Sequence, residues 1–277
     1  MTCHNLLPLL LVLSGILPSW ALSAEVSKNR VEPGTNSGAA QVSIAWPFDA
    51  QEAVKRQDEA AKALGVKKET EIDLGGVAMK FVLIPAGKFK DGSGKEGNIA
   101  KPFYMGECLV TQAQFEKIMG RNPSKHVGTN NPADNVKWAD ANEFCKKGSE
   151  KSKKRMAIPS EAQWEYACRA GTATRCYWGD DLQQLTDYCW CAINSGDTTH
   201  PVGQKKPNAF GLYDMMGQVY VWCADGGAAG GSHPLRGLTY GVKAAVFDTS
   251  LGIRQSDAQI TGRLADRVGM RVMMEID

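Results

Sequence analysis

The chain has 277 residues, of which 43% are hydrophobic and 22% are charged, a globular composition that excludes disordered and collagen-like chains. Lys and Arg total 32 and Asp and Glu total 30, so the formal net charge is only +2. We therefore expect no nucleic-acid partner, because so small a charge offers no general attraction for phosphates. The 29 glycines indicate a fold rich in turns and loops.

The first 24 residues have the features of a secretory signal peptide. They contain no Asp, Glu, Lys or Arg, and the leucine-rich run from Leu6 to Leu17 is too short to span a bilayer. Small residues at Ala21, Ser23 and Ala24 fit a signal-peptidase site with cleavage after Ser23 or Ala24. We expect export to the periplasm or the extracellular space, with no membrane span.

Two segments follow the predicted cleavage site. Residues 25–47 begin with a polar stretch rich in Gly, Asn and Ser, which predicts a flexible leader. Residues 48–76 are assigned to a helical appendage, because Asp49 and Glu52 fit a helix N-cap box and Gly65 can end the helix. The apolar content of this helix is mostly alanine, so we expect it to pack on the main domain.

The sequence from residue 77 to residue 274 mixes short apolar runs with helical patterns, which predicts a single α+β domain. The expected elements are a buried strand at 81–84, helices at 111–120, 138–147 and 161–170, and a terminal strand at 270–274. Beyond Gly171 the chain is dense in Gly, Asn, Asp and Trp. We expect that half to consist mainly of loops.

The segment from Lys146 to Arg155 holds six basic residues and one acid. A phosphate or sulfate site is one interpretation, and a solvated loop between two elements is the other. The loop is favoured, because no aromatic residue and no glycine-rich anion nest accompanies the charges.

Seven cysteines remain after removal of the predicted signal peptide: Cys108, Cys145, Cys168, Cys176, Cys189, Cys191 and Cys223. An odd number leaves at least one thiol unpaired in any intramolecular scheme. If their segment is extended, Cys189 and Cys191 point to the same face. We favour buried apolar thiols over a disulfide framework, since a chain of this size needs no covalent staples.

Two long motifs carry a resemblance to a known family. Residues 158–171 read Ile-Pro-Ser-Glu-Ala-Gln-Trp-Glu-Tyr-Ala-Cys-Arg-Ala-Gly, and residues 207–222 contain Pro-Asn-Ala-Phe-Gly-Leu-Tyr-Asp-Met followed by Gly-Gln-Val-Tyr-Val-Trp. They resemble the first and second signatures of the formylglycine-generating enzyme family, also called the sulfatase-modifying factor domain. The resemblance implies a C-type-lectin-like α+β fold with little regular secondary structure and many loops. The tryptophans at 138, 164, 178, 190 and 222 are then expected to be core anchors.

The resemblance also implies structural calcium, for which oxygen ligands are suited. In the second signature, Asp214 would supply a side-chain oxygen, and Gly217 and Val219 would supply backbone carbonyls. The glutamate of the family falls on Val221, which cannot ligate through its side chain. A further calcium site of the family maps onto Asn194, with Asp197 nearby as an extra oxygen donor.

Catalytic members of the family bind copper through two cysteines that follow an Arg-Gly-Gly-Ser-Trp-like segment. Here that segment is Arg236-Gly237-Leu238-Thr239-Tyr240, and the last cysteine of the sequence is Cys223. Thiolate ligands are what select Cu(I). We therefore expect neither copper nor formylglycine-generating catalysis, and we assign no catalytic residue.

Three functional interpretations compete. The favoured one is a non-oxidase binding or scaffold protein whose partner is an unidentified protein or small molecule. The second is a family enzyme with other oxygen-dependent sulfur chemistry on iron, but the available histidines, His126, His200 and His233, are widely spread. The third is a copper or thiol centre relocated to Cys189, Cys191 or Cys223.

Overall fold

The computed structural model describes residues 46–226 and 231–276. The predicted signal peptide and the predicted leader as far as residue 45 lie outside the described residues. The helices described are α1 (Ala50–Leu64), α2 (Gln112–Met119), α3 (Trp138–Ser152), α4 (Glu161–Arg169), α5 (Leu185–Tyr188) and α6 (Gly262–Ala265). The strands described are β1 (Glu69–Asp73), β2 (Ala78–Ile84), β3 (Gly87–Lys90), β4 (Glu96–Ile99), β5 (Phe103–Gly106), β6 (Met156–Ala157), β7 (Tyr220–Trp222), β8 (His233–Arg236), β9 (Gly252–Gln255), β10 (Val268–Gly269) and β11 (Met273–Met274).

The main sheet has five strands in the order β1-β2-β5-β11-β6, and all its pairs are antiparallel. Successive side chains of a strand point to opposite faces. In β2, Phe81 and Leu83 enter one hydrophobic cluster, whereas Val82 and Ile84 enter the other. Both faces of this sheet are therefore buried, which confirms the strand predicted from the uninterrupted apolar run.

The terminal strand predicted at 270–274 is shorter than predicted, since only Met273–Met274 form strand β11, and a separate short strand, β10, precedes this range. Strand β10 pairs with β7 in a second, four-stranded sheet of order β10-β7-β8-β9, and β11 lies in the main sheet. Between them, Arg271 is fully buried, and its guanidinium donates to the carbonyls of Gly106 at 2.6 Å and Glu107 at 3.1 Å. These carbonyls satisfy the buried guanidinium at the point where the chain passes from one sheet to the other.

Helix α1 begins and ends as the sequence predicts. The Asp49 carboxylate accepts from the Glu52 N–H at 2.8 Å, and Gly65 ends the helix with a φ of 67°. Gln57 on its inner face donates to the carbonyls of Leu83 and Phe210 at 2.9 and 3.0 Å. The helix is thus hydrogen-bonded to the domain core.

The segment around α1 contains more structure than a lone helix. Strand β1, which lies within residues 48–76, forms the edge of the main sheet beside β2. Trp46, in the last part of the predicted leader, packs its ring near those of Phe89 and Tyr166, with centroids 6.1 and 6.4 Å away. The folded unit therefore includes residues on both sides of the helix.

Helix α3 is five residues longer than predicted, which corrects the interpretation of the basic segment. Residues 146–152 form its last turns, and only residues 153–155 lead out of it. Helix α3 continues through Gly148. A glycine is needed there because a Cβ at this position would lie only 2.9 Å from the Met156 sulfur. Helices α2 and α4 lie within the predicted ranges and begin with capping boxes at Thr111 and Ser160.

Candidate functional site

The second signature, residues 207–222, contains a turn in which the buried residue Asp214 has a left-handed backbone conformation. We call this the second-signature turn. Asp214 is 2% exposed and has a φ of 51°. Its Oδ2 accepts the N–H of Gly203 at 2.7 Å, whereas its Oδ1 is buried without a hydrogen-bond partner. Burial raises the pKa of Asp214, an effect partly offset by the Gly203 hydrogen bond and by the charge of Arg271. An unpartnered buried carboxylate oxygen suits a cation.

Gly217 allows the turn to approach the loop that contains Trp190. Its φ is 85°, and a Cβ at this position would lie 2.3 Å from the Trp190 carbonyl oxygen. The neighbouring Gln218 N–H donates to that same carbonyl at 3.1 Å. The Gln218 side chain makes a two-way hydrogen bond with the backbone of His200, at 3.0 and 2.8 Å. The turn and the Trp190 loop thus form one hydrogen-bonded unit.

Asn194 folds the Trp190 loop on itself. Its Oδ1 accepts the N–H of Cys191 at 2.9 Å, and its Nδ2 donates to the Cys189 carbonyl at 3.1 Å. Asp197, the neighbouring oxygen donor expected from the sequence, forms an ion pair with Arg267 at 3.3 Å. The side chain of Asn194 therefore acts as a brace for the two cysteines.

The predicted calcium ligands fit unequally. The Asp214 carboxylate fits a cation, and the carbonyls of Gly217 and Val219 follow on the same turn. Val221 lies in β7 at 2% exposure, within the apolar core. Within residues 46–226 and 231–276, no three His, Cys, Asp or Glu side chains are grouped so that they could hold a metal ion. A calcium ion would thus depend on Asp214 and backbone oxygens.

The three histidines lie against three different aromatic side chains. His126 contacts Tyr240, with its Nε2 3.1 Å from the hydroxyl. His200 stacks on Trp190 at 3.7 Å between centroids, and His233 stacks on Trp138 at 3.9 Å. They do not form a common ligand set.

A buried ion-pair network, which the sequence analysis missed, underlies the Arg236–Tyr240 segment. The Arg236 guanidinium contacts Glu165 Oε2 at 2.5 Å and Glu161 Oε1 at 3.3 Å. The other oxygen of Glu165 contacts Arg169 at 2.9 Å. The only available signal was the i, i+4 spacing of Glu165 and Arg169 on α4, which is common on helices and points to no particular partner.

The seven cysteines are all free thiols. Burial is the main cause that raises the pKa of six of them: Cys108, Cys145, Cys168, Cys176, Cys189 and Cys223. The exception is Cys191, whose pKa is lowered to about 6, chiefly by a hydrogen bond from the Cys189 side chain. Six of the seven thiols are buried, as predicted for most of them, and Cys108 is partly exposed.

An open cleft of about 470 Å³ borders the ion-pair network, with which it shares Arg169. Its walls combine the cations Lys90, Arg169 and Arg175 with the acids Asp91 and Asp248. Trp46 also lines the cleft. Charges of both signs make this surface suited to a polar ligand.

The sequence is similar to that of several known proteins. The chaperone protein LppX of Paenibacillus barcinonensis is 30% identical over 200 residues, covering 53% of this chain and 71% of that protein. The mouse formylglycine-generating enzyme is 33% identical over 128 residues, covering 42% of this chain and 33% of the enzyme. The mouse inactive C-alpha-formylglycine-generating enzyme 2 is 29% identical over 147 residues, covering 49% of this chain and 44% of that protein. The chain thus spans less than half the length of these two mouse relatives.

The fold has solved counterparts. Treponema denticola variable protein 1 superposes with a TM-score of 0.69 at 23% identity, covering 76% of this chain and all of that one. In the part of the chain that the structure describes, no helix is both long and apolar enough to cross a membrane. The sulfatase-modifying factor enzyme 1-like domain model matches residues 75–276, and the chain belongs to this family, with its α+β fold.

Proposed function

We propose that this chain is an exported, non-oxidase member of its family that serves as a binding or assembly module. The observation that carries the proposal is the structural use of the Arg236–Tyr240 segment and of the residues after it, where catalytic relatives are expected to have the two copper-binding cysteines. The Arg236 guanidinium forms an ion pair with Glu165 and donates hydrogen bonds to the carbonyls of Ser250 and Thr249, at 2.8 and 3.1 Å. Cys223, the last thiol in the sequence, is fully buried.

The residues that follow the segment supply no thiolate. Residues 241–247 read Gly-Val-Lys-Ala-Ala-Val-Phe, and the side chain of Phe247 is buried in the core. Copper(I) requires soft ligands such as thiolates. The region is therefore suited to packing rather than to oxygen activation.

Support for a protein partner comes from the relatives and from the cleft. LppX is named a chaperone, and we extend to this chain only the proposal that its ligand is a protein segment. The cleft wall offers the exposed ammonium of Lys90 and the carboxylates of Asp91 and Asp248. Such mixed charge would orient a polar peptide.

The absence of oxidase activity is tested with a sulfatase-type Cys-x-Pro-x-Arg peptide. The mature protein is loaded with copper, incubated with the peptide and oxygen, and the peptide is analysed by mass spectrometry. We expect no formylglycine, while a formylglycine-generating enzyme in parallel converts the peptide. Formylglycine in the sample with this protein would overturn the proposal.

Binding is tested through suppression of aggregation of a chemically denatured model protein, followed by light scattering. Lys90→Glu reverses a charge in the cleft, and Lys88→Glu makes the same change on the same strand outside the cleft lining. We expect the wild type and Lys88→Glu to suppress scattering and Lys90→Glu to do so less. Equal behaviour of the two variants would exclude the cleft as the binding surface.

Export and metal content are tested on the secreted protein. N-terminal sequencing should begin at Ala24 or Glu25. Elemental analysis should show calcium, which supports a structural role for the ion. Copper or iron at one ion per chain would instead support the alternative of a family enzyme with a relocated metal or thiol site.

A further inference from the structure

The C-terminal end of α3 and the residues that leave it concentrate the positive charge of the chain. Residues 146–155 hold six basic residues and one acid, a net charge of +5. Because the whole chain carries only +2, all its other residues together are net negative. The charge is therefore distributed unevenly, with the excess of cations at one end of one helix.

Half of these cations are exposed and have no ionic partner. Lys146, Lys151 and Lys153 are exposed, and among the residues that the structure describes none of the three forms an ion pair. The ion pairs of the segment join Lys147 to Glu143 at 3.4 Å and Arg155 to Glu275 at 2.9 Å. Both are surface pairs, which hold their partners weakly. Most of the positive charge is thus available to a partner.

Lys153 occupies a backbone position that favours glycine. It follows the last residue of α3 with a φ of 60° and a ψ of 22°. This left-handed conformation is disfavoured by a Cβ, and glycine is the usual residue at such a helix end. Local folding therefore does not account for a lysine here.

Helix α2 adds a further cation beside Lys151. A Cβ on Gly75, in the turn after β1, would lie 2.7 Å from the Lys151 Nζ and 3.2 Å from the Lys117 Cε. The two like charges approach the same turn and repel each other, which an anionic partner would relieve. The N–H groups of Gly75 and Gly76 already donate to Asp73, at 2.9 and 2.6 Å. The turn is therefore not a nest for a single bound anion.

The chemistry of the segment favours an extended anionic surface over a defined ligand. Five of its six basic residues are lysines, whose ammonium is a point charge on a flexible stem, whereas directional recognition of one acidic group favours arginine. The end of a helix is convex, and a peptide or small molecule is usually held in a concave site. The exposed large apolar side chains of the described residues lie outside this segment, so we expect contact without insertion.

We propose that residues 146–155, together with Lys117, dock the protein on an anionic phospholipid surface. Each lysine close to such a surface strengthens the association about fivefold. The attraction extends over about one Debye length, roughly 10 Å at 0.1 M salt, so it weakens as salt is added. The cleft lining includes none of these residues, and the inference is therefore independent of the proposed function.

The test is sedimentation of the mature protein with vesicles. We expect it to bind vesicles of equimolar phosphatidylglycerol and phosphatidylcholine at low salt, to leave them at high salt, and not to bind phosphatidylcholine alone. The cleft variant Lys90→Glu should bind as the wild type does, so this result does not depend on the cleft. Equal binding to both kinds of vesicle, or binding unaffected by salt, would overturn the proposal.

Two competitors separate the lipid surface from other anions. Soluble polyglutamate at the same concentration of charge should leave most of the protein on the vesicles. Displacement by it would identify an acidic polypeptide as the better partner and refute docking on lipid. Inorganic phosphate should displace the protein no more than sodium chloride does at the same ionic strength, and stronger displacement would indicate a phosphate site instead.

Variants locate the docking surface. The triple variant Lys146→Gln, Lys151→Gln, Lys153→Gly should bind the anionic vesicles about a hundredfold more weakly, because three cations are lost. Lys153→Gly alone should bind about fivefold more weakly. Its melting temperature should be equal to or higher than that of the wild type, since glycine suits the left-handed backbone. Weaker binding of this variant therefore cannot result from unfolding, and unchanged binding of the triple variant would refute the assignment.

A matched control removes the same charge elsewhere. Lys88→Gln, Lys101→Gln and Lys243→Gln, combined, neutralise three exposed lysines outside the segment and outside the cleft lining. Phe89 and Val242, beside two of them, pack in a different hydrophobic cluster from the buried residues of α3. We expect this variant to bind the vesicles within about twofold of the wild type. Equal losses in the two triple variants would show that net charge alone governs binding, and would overturn the proposed surface.

Discussion

Glu165 and Arg236 form a buried ion pair, with 2.5 Å between Oε2 and Nη2. The second carboxylate oxygen binds Arg169 at 2.9 Å and also accepts the N–H of Gly92 at 2.8 Å. One buried carboxylate thereby bridges two guanidiniums and connects α4, β8 and the loop after β3. Because the three charged side chains are buried away from water, each depends on the others for its electrostatic partner.

Glu165→Gln should destabilise the protein strongly. The substitution keeps the size of the side chain but leaves the buried Arg169 without its carboxylate partner and Arg236 with only that of Glu161, at 3.3 Å. Breaking one partner of a buried ion pair costs about 3–5 kcal/mol in the free energy of unfolding. Denaturant unfolding monitored by tryptophan fluorescence measures it.

The matched control is Glu275→Gln, which removes a carboxylate paired with Arg155 at 2.9 Å on the surface. These side chains are 47% and 81% exposed, so the loss should stay below about 1 kcal/mol. Equal losses in the two variants would show that the Glu165 network does not contribute as a buried pair.

Local pattern was sufficient to predict α4 but not its ion pairs. The capping box at Ser160 and the positions of Trp164 and Cys168 follow from spacing along one helix. Arg236 lies 71 residues from Glu165, and nothing local indicates that the two meet. Tertiary packing selects that partner.

For the candidate site, too, the sequence predicts which residues take part but not the hydrogen bonds they make. The family resemblance identified Asp214 and Gly217, whereas period-two alternation predicts a shared face for Cys189 and Cys191 only if their segment is extended. The bracing role of Asn194 was not predictable, because it depends on the fold of a loop without periodicity. A family resemblance predicts which residue types occupy the site. The hydrogen-bond partners of a side chain in a loop such as that of Asn194 depend instead on how the loop folds against the neighbouring turn.

Gly217→Ala should destabilise the second-signature turn more than the same change at a glycine of equal φ. Gly217 and Gly211 both have a φ of 85°, but a Cβ meets the Trp190 carbonyl at 2.3 Å only at Gly217 and has nothing within 4 Å at Gly211. We expect a loss of about 2–4 kcal/mol for Gly217→Ala from strain and overpacking. Gly211→Ala should lose roughly 1 kcal/mol from strain alone. Thermal unfolding compares them, and similar losses would argue against close contact of the two segments.

Calcium should raise the melting temperature through Asp214. A ligand that binds only the native state adds about 2.7 kcal/mol at a hundred times its dissociation constant. Asp214→Asn should abolish the shift, because it removes the charge while an amide oxygen can still accept the Gly203 N–H. Asn194→Ala should lower the melting temperature with and without calcium, since it removes the brace of the cysteine loop. A melting temperature unaffected by calcium and chelator in the wild type would remove the calcium proposal.

The pH dependence of the calcium-free protein gives a separate test of Asp214. Because its pKa is raised in the folded state, the native state binds the proton more tightly than the unfolded chain does. The stability associated with this proton is present below the ordinary Asp pKa and is lost as pH rises through the folded pKa. Urea unfolding across this range should show the loss in the wild type and not in Asp214→Asn. If the free energy of unfolding changed with pH in the same way in both proteins, the raised pKa of Asp214 would be contradicted.

Val221→Glu should make stability strongly dependent on calcium. Val221 is 2% exposed in the apolar core, so a carboxylate there without a counter-ion should cost roughly 3 kcal/mol or more. If Asp214 and the carbonyls of Gly217 and Val219 surround a cation, the new oxygen completes the ligand set and calcium should recover much of this loss. Calorimetry with and without calcium should thus show a larger shift than in the wild type. The same destabilisation in both conditions would mean that residue 221 does not face the ion, and would restrict any calcium site to Asp214 and the turn.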